Sequence, residues 1–389
     1  MDRKVNLLYL NSLPFETMVK QGRLWEIQVR NIENYTSKCF NIFYGSKVNR
    51  KEYLKSKSTI VYCIKNPILK KKIFLIKITI LIYHFLCLTI LIGKICRLNK
   101  IHIIISNSNA LRQLEVSALL ISRIYNIPII GYIGRNFMVF KFPHTIKEKI
   151  IYSLEYIILR LASKVIMRPK SEKFLSDYYK INESKIVTIP HITRFQNFKD
   201  HSKIPAKLLK WMTSKEIILY YGRLERDKLV DDIIKAFKMV RKFRDNAYLL
   251  IIGSGNDKKL LKELASDLGI DGYIRWENPM HQERLGPVSF SSEVHVHPTG
   301  GKGLLESAVM AKPVITYKSN SYDYGLIEDI KPAYRNYEQL AKCILKYLSN
   351  PALCAEHGNA LKKRAISHCD INSVQKKLTT VIDNLVINT

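Results

Sequence analysis

The chain has 389 residues, 47% of them hydrophobic, which is enough to bury two separate cores and makes two domains the expectation. Its 63 Lys and Arg against 33 Asp and Glu give a net charge of +30, but no motif that reads DNA or RNA accompanies the charge, so nucleic acid ranks last among the partners. Seven cysteines, an odd number without a Cys-x-x-Cys pair, argue against a disulfide framework or a zinc site and favour a reducing compartment.

Strands alternate with helical patterns in the first half of the chain, which is typical of a parallel sheet. The first apolar run, 5–10, is too short for a signal peptide and predicts a strand, so a cytoplasmic location is expected. Further strands are predicted at 40–44, 59–64, 101–106, 128–133, 164–167 and 186–189. Helices are predicted at 25–35, 108–125 and 145–161.

Basic and apolar residues are concentrated in one part of this half. Between Ser46 and Leu111 there are thirteen Lys or Arg and one acid, and three consecutive lysines, 70–72, precede the apolar run 73–93. Lys77 and His84 interrupt the run, which disfavours a membrane span. Two interpretations stay open and can hold together. Residues 73–96 form a helix that packs on the sheet, or a helix whose apolar face enters the headgroup region of an anionic membrane.

The second half repeats the alternation after 196–214, where Pro205 and several charges predict a linker. Strands are predicted at 217–220, 248–252, 273–277, 294–297 and 313–317. Helices are predicted at 231–243, 257–268, 283–290, 304–310, 337–348, 351–367 and 371–385. Ligands of such sheets bind at the carboxyl ends of the strands, so the loops that follow the strands are the candidate site.

The loop 222–228 reads Gly-Arg-Leu-Glu-Arg-Asp-Lys and joins a predicted strand to a predicted helix. Arg223 and Lys228 would lie beside the backbone N–H groups at the start of that helix, an arrangement that suits a doubly charged phosphate. A solvated basic turn would show the same pattern. The segment therefore becomes informative only together with a second loop.

That second loop, 298–303, is rich in glycine and precedes a short predicted helix. Its glycines allow the backbone to approach a ligand closely, and Glu306 on the first helical turn could accept hydrogen bonds from sugar hydroxyls. Two cations for a diphosphate and one carboxylate for a ribose predict a nucleotide-sugar site. The predicted donor contacts are Gly222, Arg223, Lys228, Gly253, Gly255, Gly300, Gly301, Lys302, Gly303, Leu304 and Glu306.

No metal site is predicted. The pair Asp231-Asp232 fits the acidic first turn of a helix better than a cation site. His295 and His297 alternate on a predicted strand, but two histidines alone are usually packing or solvent residues. The loop 276–280 is a weaker candidate for a catalytic base.

These motifs resemble the retaining glycosyltransferases of family 4, the glycosyl transferases group 1, which have the GT-B fold. The family pattern Gly-Arg-Leu-x-x-x-Lys is matched at 222–228, and Glu-Ala-Met-Ala-x-Gly-x-Pro-Val-Ile at 306–315. Residues 247–255 are similar to the family's strand ending in Gly-x-Gly, and 184–193 to its interdomain strand. From about residue 160 onward the resemblance is specific, whereas before it only the order of elements is similar.

The resemblance implies an α/β GT-B fold, with two Rossmann-like domains whose parallel sheets face a central cleft. An acceptor-binding, membrane-facing domain would cover 1–195, a nucleotide-sugar-binding domain 215–370, and a closing helix 371–389 would cross back to the first domain. A linker, 196–214, would join the domains.

The resemblance also implies the activity. A hexosyl-type sugar would pass from a nucleotide sugar, expected to be a UDP- or GDP-sugar, to a lipid-linked or polysaccharide acceptor, with retention and without a metal or other cofactor. Arg223 and Lys228 would be the catalytic groups, because they neutralise a diphosphate whose charge grows as the sugar leaves. The protein would lie on the cytoplasmic face of an anionic membrane.

The acceptor side is represented by three candidate residues. Gly22 precedes a predicted helix where the family's first domain approaches the donor, and Arg135 and Asn136 follow the strand ending at residue 133. A simple turn at Gly22 and a surface cation at Arg135 are equally good interpretations. The basic, apolar first domain favours a lipid-linked sugar as the acceptor.

The sequence departs from the family at several positions. The family usually carries two glutamates eight positions apart; Glu306 fits the second, whereas Pro298 stands in place of the first. Either the loop is shifted in register or the first carboxylate is absent. Leu229 stands where a Gly usually follows the Lys, and His191-Ile192-Thr193 replaces Asn-Gly-Val. A catalytically degenerate homologue that binds a partner enzyme therefore remains an alternative.

Overall fold

The computed structural model describes residues 5–11, 36–46, 50–53, 59–65, 74–107, 112–133, 146–167, 172–189, 198–318, 331–369 and 371–387. The chain forms two compact units. The first comprises Met1–Pro190 and Asn372–Thr389, and the second comprises His191–Ile371. The helix predicted at 25–35 lies outside the described residues.

The first unit is built on an eight-stranded sheet with the order β3-β4-β2-β1-β5-β6-β7-β8. All described pairs are parallel except β3 with β4, which pair antiparallel. Side chains of its strands contribute to a hydrophobic core that includes Leu8, Phe40, Ile42 and Ile104. The strands are β1 Val5–Asn11, β2 Thr36–Ser46, β3 Arg50–Tyr53, β4 Thr59–Lys65, β5 Ile103–Asn107, β6 Ile129–Tyr132, β7 Lys164–Met167 and β8 Ile186–Thr188.

The described helices of the first unit are α1 Phe74–Asn99, α2 Arg112–Ile124, α3 Ile146–Leu161, α4 Glu172–Tyr178 and α12 Ile371–Ile387. Because α1, α2 and α3 each join parallel strands and pack side by side, they cover one face of the sheet. Thr89 of α1 donates a hydrogen bond to Ser117 of α2, at 2.9 Å. Arg123 of α2 donates one to the carbonyl of Leu161 in α3, at 3.0 Å.

Helix α1 confirms the sheet-packing interpretation for part of its length. Leu88, Ile92, Ile95 and Cys96 are buried in the core of the first unit. In the described part of the chain, one helical stretch, Thr79–Asn99 in α1, is long and apolar enough to cross a membrane, a test that buried core helices also pass. Burial of these four side chains fixes the second half of α1 on the sheet.

The second unit is built on a five-stranded parallel sheet with the order β11-β10-β9-β12-β13. Its strands are β9 Glu216–Arg223, β10 Ala247–Ser254, β11 Ile274–Glu277, β12 Val294–Val296 and β13 Val314–Ile315. Its helices are α5 Ala206–Met212, α6 Val230–Arg241, α7 Lys258–Asp267, α8 Gln282–Phe290, α9 Lys302–Val309, α10 Tyr337–Leu348 and α11 Pro351–Cys369. The prediction of parallel sheets in both halves is therefore confirmed.

Part of the predicted linker 196–214 folds together with the second unit. Residues 206–212 form α5, and Leu208 and Met212 are buried against the sheet of the second unit together with Ile204. Pro205, which suggested a linker, instead precedes the first residue of this helix, where a missing N–H costs nothing.

Candidate functional site

The site begins where β9 ends, at the predicted phosphate loop. Strand β9 continues through Gly222 to Arg223, and a 3-10 turn at Arg226–Lys228 leads into α6. Leu229, between the turn and the helix, has a left-handed backbone with φ 54°. A glycine adopts this conformation without strain, which gives a physical reason for the residue usual at this place in the resembling family.

The two predicted catalytic cations share a carboxylate that sequence analysis missed. The guanidinium of Arg223 lies 2.9 Å from Asp227, and Nζ of Lys228 lies 3.3 Å from the same carboxylate. The Arg223 side chain is 64% exposed and that of Lys228 30% exposed, so both remain accessible to a ligand.

The Asp227 carboxylate contacts the two cations that a diphosphate would bind, so replacing Asp227 tests the site. We expect Asp227→Asn to bind nucleoside diphosphates about two- to fivefold more tightly, because a partly exposed ion pair is worth up to about 1 kcal/mol. Calorimetric titration of UDP into both proteins measures this, with Asp271→Asn, in a turn before β11, as the matched control. Weaker binding by Asp227→Asn would instead mean that Asp227 positions the cations for the ligand.

Gly253 and Gly255 at the end of β10 have a packing function. A Cβ on Gly253 would lie 2.0 Å from the carbonyl O of Gly222, and one on Gly255 would lie 2.1 Å from that of Leu224. Leu224 N donates to the carbonyl of Ser254 at 2.9 Å. These glycines let the loops after β9 and β10 run in contact, which explains them without a ligand. Their role as donor contacts stays a prediction.

The second predicted loop connects β12 to α9. Gly300 and Gly301 have positive φ angles of 63° and 91°, so the turn depends on glycine at both positions. Helix α9 begins at Lys302, two residues before the predicted start, and Glu306 therefore lies on its second turn instead of its first. Glu306 is 7% exposed, and its Oε1 lies 3.5 Å from Nζ of Lys302.

The loop between β12 and α9 shows whether the first glutamate of the family pattern is shifted in register or absent. The connection from His297 to Gly301 is fully described and reads His-Pro-Thr-Gly-Gly. It contains no Asp or Glu, and Lys302 follows at the start of the helix. The first carboxylate of the family pattern is therefore absent from this loop. The first residue of the helix that follows, Lys302, is a cation.

A polar network beneath α9 joins the two loops. Burial lowers the pKa of His295 well below its ordinary value, so the ring is neutral, and its Nε2 lies 2.9 Å from the carbonyl of Ser289. Nε2 therefore donates, and Nδ1 faces Oγ of Ser307 at 2.6 Å. Tyr221 of β9 donates to the carbonyl of Gly303, at 2.9 Å. Strand β9 is thus tied to the first turns of α9.

His297 lies between the two predicted motifs. It is 4% exposed, and its Nε2 has no hydrogen-bond partner among the described residues. Burial, with the positive charge of Lys228 as a second cause, lowers the pKa of His297 to about 3. On its other side the imidazole lies against Gly303. The same ring is therefore near both Lys228 and the N-terminal turn of α9.

Gly303 is required by this histidine. A Cβ on Gly303 would lie 2.5 Å from Cε1 of His297, and the buried ring has no flexible end to move. We expect Gly303→Ala to lower the free energy of unfolding by about 1–3 kcal/mol, as for other overpacked cores. In urea unfolding, the double variant Gly303→Ala/His297→Ala should lose less free energy of unfolding than the sum of the losses in the two single variants. Gly272→Ala, where a Cβ meets nothing within 4 Å, is the control. Additive losses would contradict the contact.

The remaining predicted groups have structural partners. Arg335 lies 2.7 Å from Asp231 and 3.0 Å from the buried Asp232, which supports their place in the first turn of α6. Glu277, in the loop considered for a base, lies 2.8 Å from Arg275. Within the described ranges no group of three or more His, Cys, Asp or Glu is arranged to hold a metal ion. Gly22, Arg135 and Asn136 lie outside the described residues.

Comparison with known proteins identifies similar glycosyltransferases. Residues 203–367 match the family model for "Glycosyl transferases group 1". A capsular polysaccharide biosynthesis glycosyltransferase, CapM of Staphylococcus aureus, is 27% identical over 190 residues, which are 44% of this chain and 47% of CapM. The chain thus spans about half the length of this curated relative.

Solved structures are similar over almost the whole chain. A glycosyltransferase from Rickettsia africae has a TM-score of 0.73 and 18% identity, with all of both chains covered. HepE from Anabaena, in complex with UDP and glucose, has a TM-score of 0.71 and 12% identity over 98% of this chain and 100% of HepE. The α/β fold with two mainly parallel sheets resembles that of GT-B glycosyltransferases, and residues 203–367 are similar to the glycosyl transferases group 1 family.

Proposed function

We propose that this protein transfers a sugar from a nucleoside diphosphate sugar to a glycan or lipid-linked acceptor. The observation that carries the proposal is the meeting of two loops at the carboxyl edge of one sheet. Tyr221, on the strand that leads to Arg223 and Lys228, donates a hydrogen bond to the carbonyl of Gly303 in the first turn of α9, at 2.9 Å. The second turn of the same helix carries Glu306. Cations, helix N–H groups and a carboxylate are thereby brought to one place.

A nucleoside diphosphate sugar matches these groups. Arg223 and Lys228 provide positive charge for the diphosphate, and the amides after Gly301 add the favourable end of a helix dipole. Glu306 provides acceptor oxygens for the ribose hydroxyls. A UDP-sugar is the first expectation, because HepE, which shares the fold, was solved with UDP and glucose. A GDP-sugar is the second.

The transfer we infer retains the anomeric configuration and uses no metal. The departing phosphate oxygen helps to remove the proton of the acceptor hydroxyl on the same face of the sugar. The bond from the anomeric carbon to the phosphate breaks as the bond to the acceptor oxygen forms. Arg223 and Lys228 stabilise the charge that grows on the diphosphate during this step. No side-chain nucleophile is required.

The acceptor class is inferred from a relative and from the surface of the first unit. CapM, the relative described above, belongs by its name to capsular polysaccharide biosynthesis, which favours a glycan acceptor or its lipid-linked precursor. The basic, apolar surface of the first unit favours the lipid-linked form and a position at the cytoplasmic membrane face. Hexosyl transfer is part of the proposal and is supported by the glucose bound with UDP in HepE.

Ligand-dependent melting of the purified protein tests the donor. UDP, GDP, ADP and CMP and their sugar conjugates are added in turn, and a ligand at 100 times its Kd should add about 2.7 kcal/mol to the free energy of unfolding. We expect stabilisation by UDP and its sugars. No stabilisation by any of these nucleotides would overturn the proposal.

A binding function without turnover is the second candidate, and the absence of a carboxylate between His297 and Gly301 favours it. Such a protein would bind the nucleotide but release no free diphosphate from any nucleotide sugar. Following UDP release with a panel of UDP-sugars, with and without glycan acceptors, separates the two. Measurable release that Lys228→Ala removes would exclude the binding-only function.

A further inference from the structure

The outer surfaces of α1, α2 and α3 carry exposed aliphatic side chains next to one another. We define the apolar-basic face by two residues from each helix: Leu86 and Ile90, Leu120 and Ile124, Ile157 and Leu161. Their exposure ranges from 43% for Leu161 to 70% for Ile90. Since α2 is hydrogen-bonded to both of its neighbours, these side chains belong to one continuous surface of the first unit.

Among the side chains that the structure describes on these three helices, the exposed charged groups are all cations. Lys94, Arg97, Arg123 and Arg160 are exposed on the same three helices. No Asp or Glu occurs in the sequence between residues 53 and 114. Two acids of α2 and α3, Glu115 and Glu155, are 2% and 0% exposed and therefore contribute no negative surface.

Along α1 the apolar and basic residues follow one another on a single face. Ile82, Leu86, Ile90 and Lys94 are spaced by four residues and are all exposed, whereas Leu88, Ile92 and Ile95 on the opposite side are buried. The helix therefore has one face for the sheet and another that has no partner in the described unit. The exposed face changes from aliphatic to cationic towards its carboxyl end.

The exposed face of α1 continues towards the amino end of the helix. All buried side chains of its described part lie at Leu88 or later. Ile82 and Tyr83, 55% and 71% exposed, lie before them and extend the apolar surface.

We propose that the apolar-basic face docks this protein on an anionic lipid bilayer, with the aliphatic side chains in the headgroup boundary and the cations at the lipid phosphates. A helix that enters this boundary to a depth of about 5–10 Å needs such an apolar face and basic flanks. Each Lys or Arg near an anionic leaflet strengthens the binding, and the effect weakens with salt. The proposal deepens the membrane position proposed above by naming the surface that contacts the lipid, and its test needs neither donor nor acceptor.

Two other occupants fit the surface less well. Pairing of this face with a second copy would bring Lys94, Arg97 and Arg123 of both copies together. The acids that the structure describes on α2 and α3, Glu115 and Glu155, are buried and would not compensate them. Nucleic acid would satisfy the cations but would leave the aliphatic side chains facing a polar backbone. A bilayer surface accommodates both kinds of side chain.

Vesicle flotation of the full chain tests the proposal. The probes are phosphatidylcholine vesicles with and without about 30% phosphatidylglycerol, at low and high salt. We expect binding to the anionic vesicles that is weakened by salt. Two double variants are compared with the unmodified protein: Leu86→Ser/Ile90→Ser and Lys94→Gln/Arg97→Gln. Each should reduce the partition coefficient at least about tenfold, because the first removes two inserted side chains and the second removes two positive charges.

The controls make the same chemical changes in the second unit. Phe243 and Leu260, 72% and 63% exposed, are replaced by Ser, and Lys242 and Lys259 by Gln. These variants should bind vesicles as the unmodified protein does. All variants should keep its melting temperature, because the changed side chains are exposed.

Three results would overturn the proposal. One is equal vesicle binding by the test and control variants. Another is a dimer in sedimentation velocity that Leu86→Ser/Ile90→Ser converts to a monomer while anionic vesicles are not bound. A third is binding to single-stranded RNA, in preference to vesicles, that responds to the charge variant and not to the serine variant. Since no sugar is present, a failed transfer reaction leaves this test unaffected.

Discussion

Lys228→Ala is expected to lower kcat for sugar transfer by about 100- to 1,000-fold, with a much smaller change in the KM for the donor. The charge on the diphosphate increases as the sugar leaves, so a preorganised cation stabilises the transition state more than the bound substrate. Lys228 is placed for this in the 3-10 turn that leads into α6, with its side chain 30% exposed. Initial rates over a range of donor concentrations, at saturating acceptor, measure both constants.

Arg226→Ala is the matched control, since it removes the same charge from the same 3-10 turn. It should leave kcat within a few-fold of the unmodified enzyme. Arg223→Ala should also lower kcat, though less than Lys228→Ala, because its guanidinium is more exposed to solvent that screens its charge. A rise in KM with unchanged kcat for Lys228→Ala would show that the lysine only binds the ground state.

The sequence predicted the alternation of elements well because strong local signals agree with the tertiary structure. Helix α10 occupies the predicted residues, and Asn336 caps it by accepting a hydrogen bond from the amide of Gln339. Strand β7 likewise has its predicted limits. In both cases the apolar spacing and the flanking residues specify the same boundary.

Boundaries set by tertiary packing were harder to predict. Helix α9 starts before its predicted first residue, since Gly303 suggested a loop; the glycine instead belongs to the helix and makes room for His297. In 196–214, Pro205 and the charges suggested an open linker. The burial of Leu208 and Met212, which makes α5 part of the second unit, depends on a sheet that comes later in the chain.

The candidate site shows the same division. Arg223, Lys228 and Glu306 were found from motif spacing, and the structure places their two loops on the neighbouring strands β9 and β12. Asp227 and His297 were missed as members of the site. Their importance depends on contacts that the spacing does not show. Asp227 contacts two cations, and His297 packs against Gly303 in the helix that follows it.

Glu306→Ala is expected to remove most of the stabilisation by UDP. Hydrogen bonds to a charged group contribute about 1.5–3 kcal/mol, so loss of the ribose contact should weaken UDP binding by about 10- to 100-fold. Glu306 is well suited to this contact because it is buried near the start of α9, where Lys302 keeps its carboxylate oriented. Titration calorimetry with UDP, and with uridine 5′-diphosphate lacking the 2′-hydroxyl, measures the effect.

Lys302→Met and Glu306→Gln separate binding from structure. If Glu306 serves only its ion pair with Lys302, both variants should lower the melting temperature equally and leave the Kd for UDP unchanged. If Glu306 binds the ribose, the Glu306→Gln protein should bind UDP more weakly than the unmodified protein does. It should also bind the 2′-deoxy analogue almost as well as UDP, since the contact to the 2′-hydroxyl has been lost. Lys302→Met should then keep the preference for the ribonucleotide. A preference that survives in Glu306→Gln would exclude Glu306 as the ribose ligand.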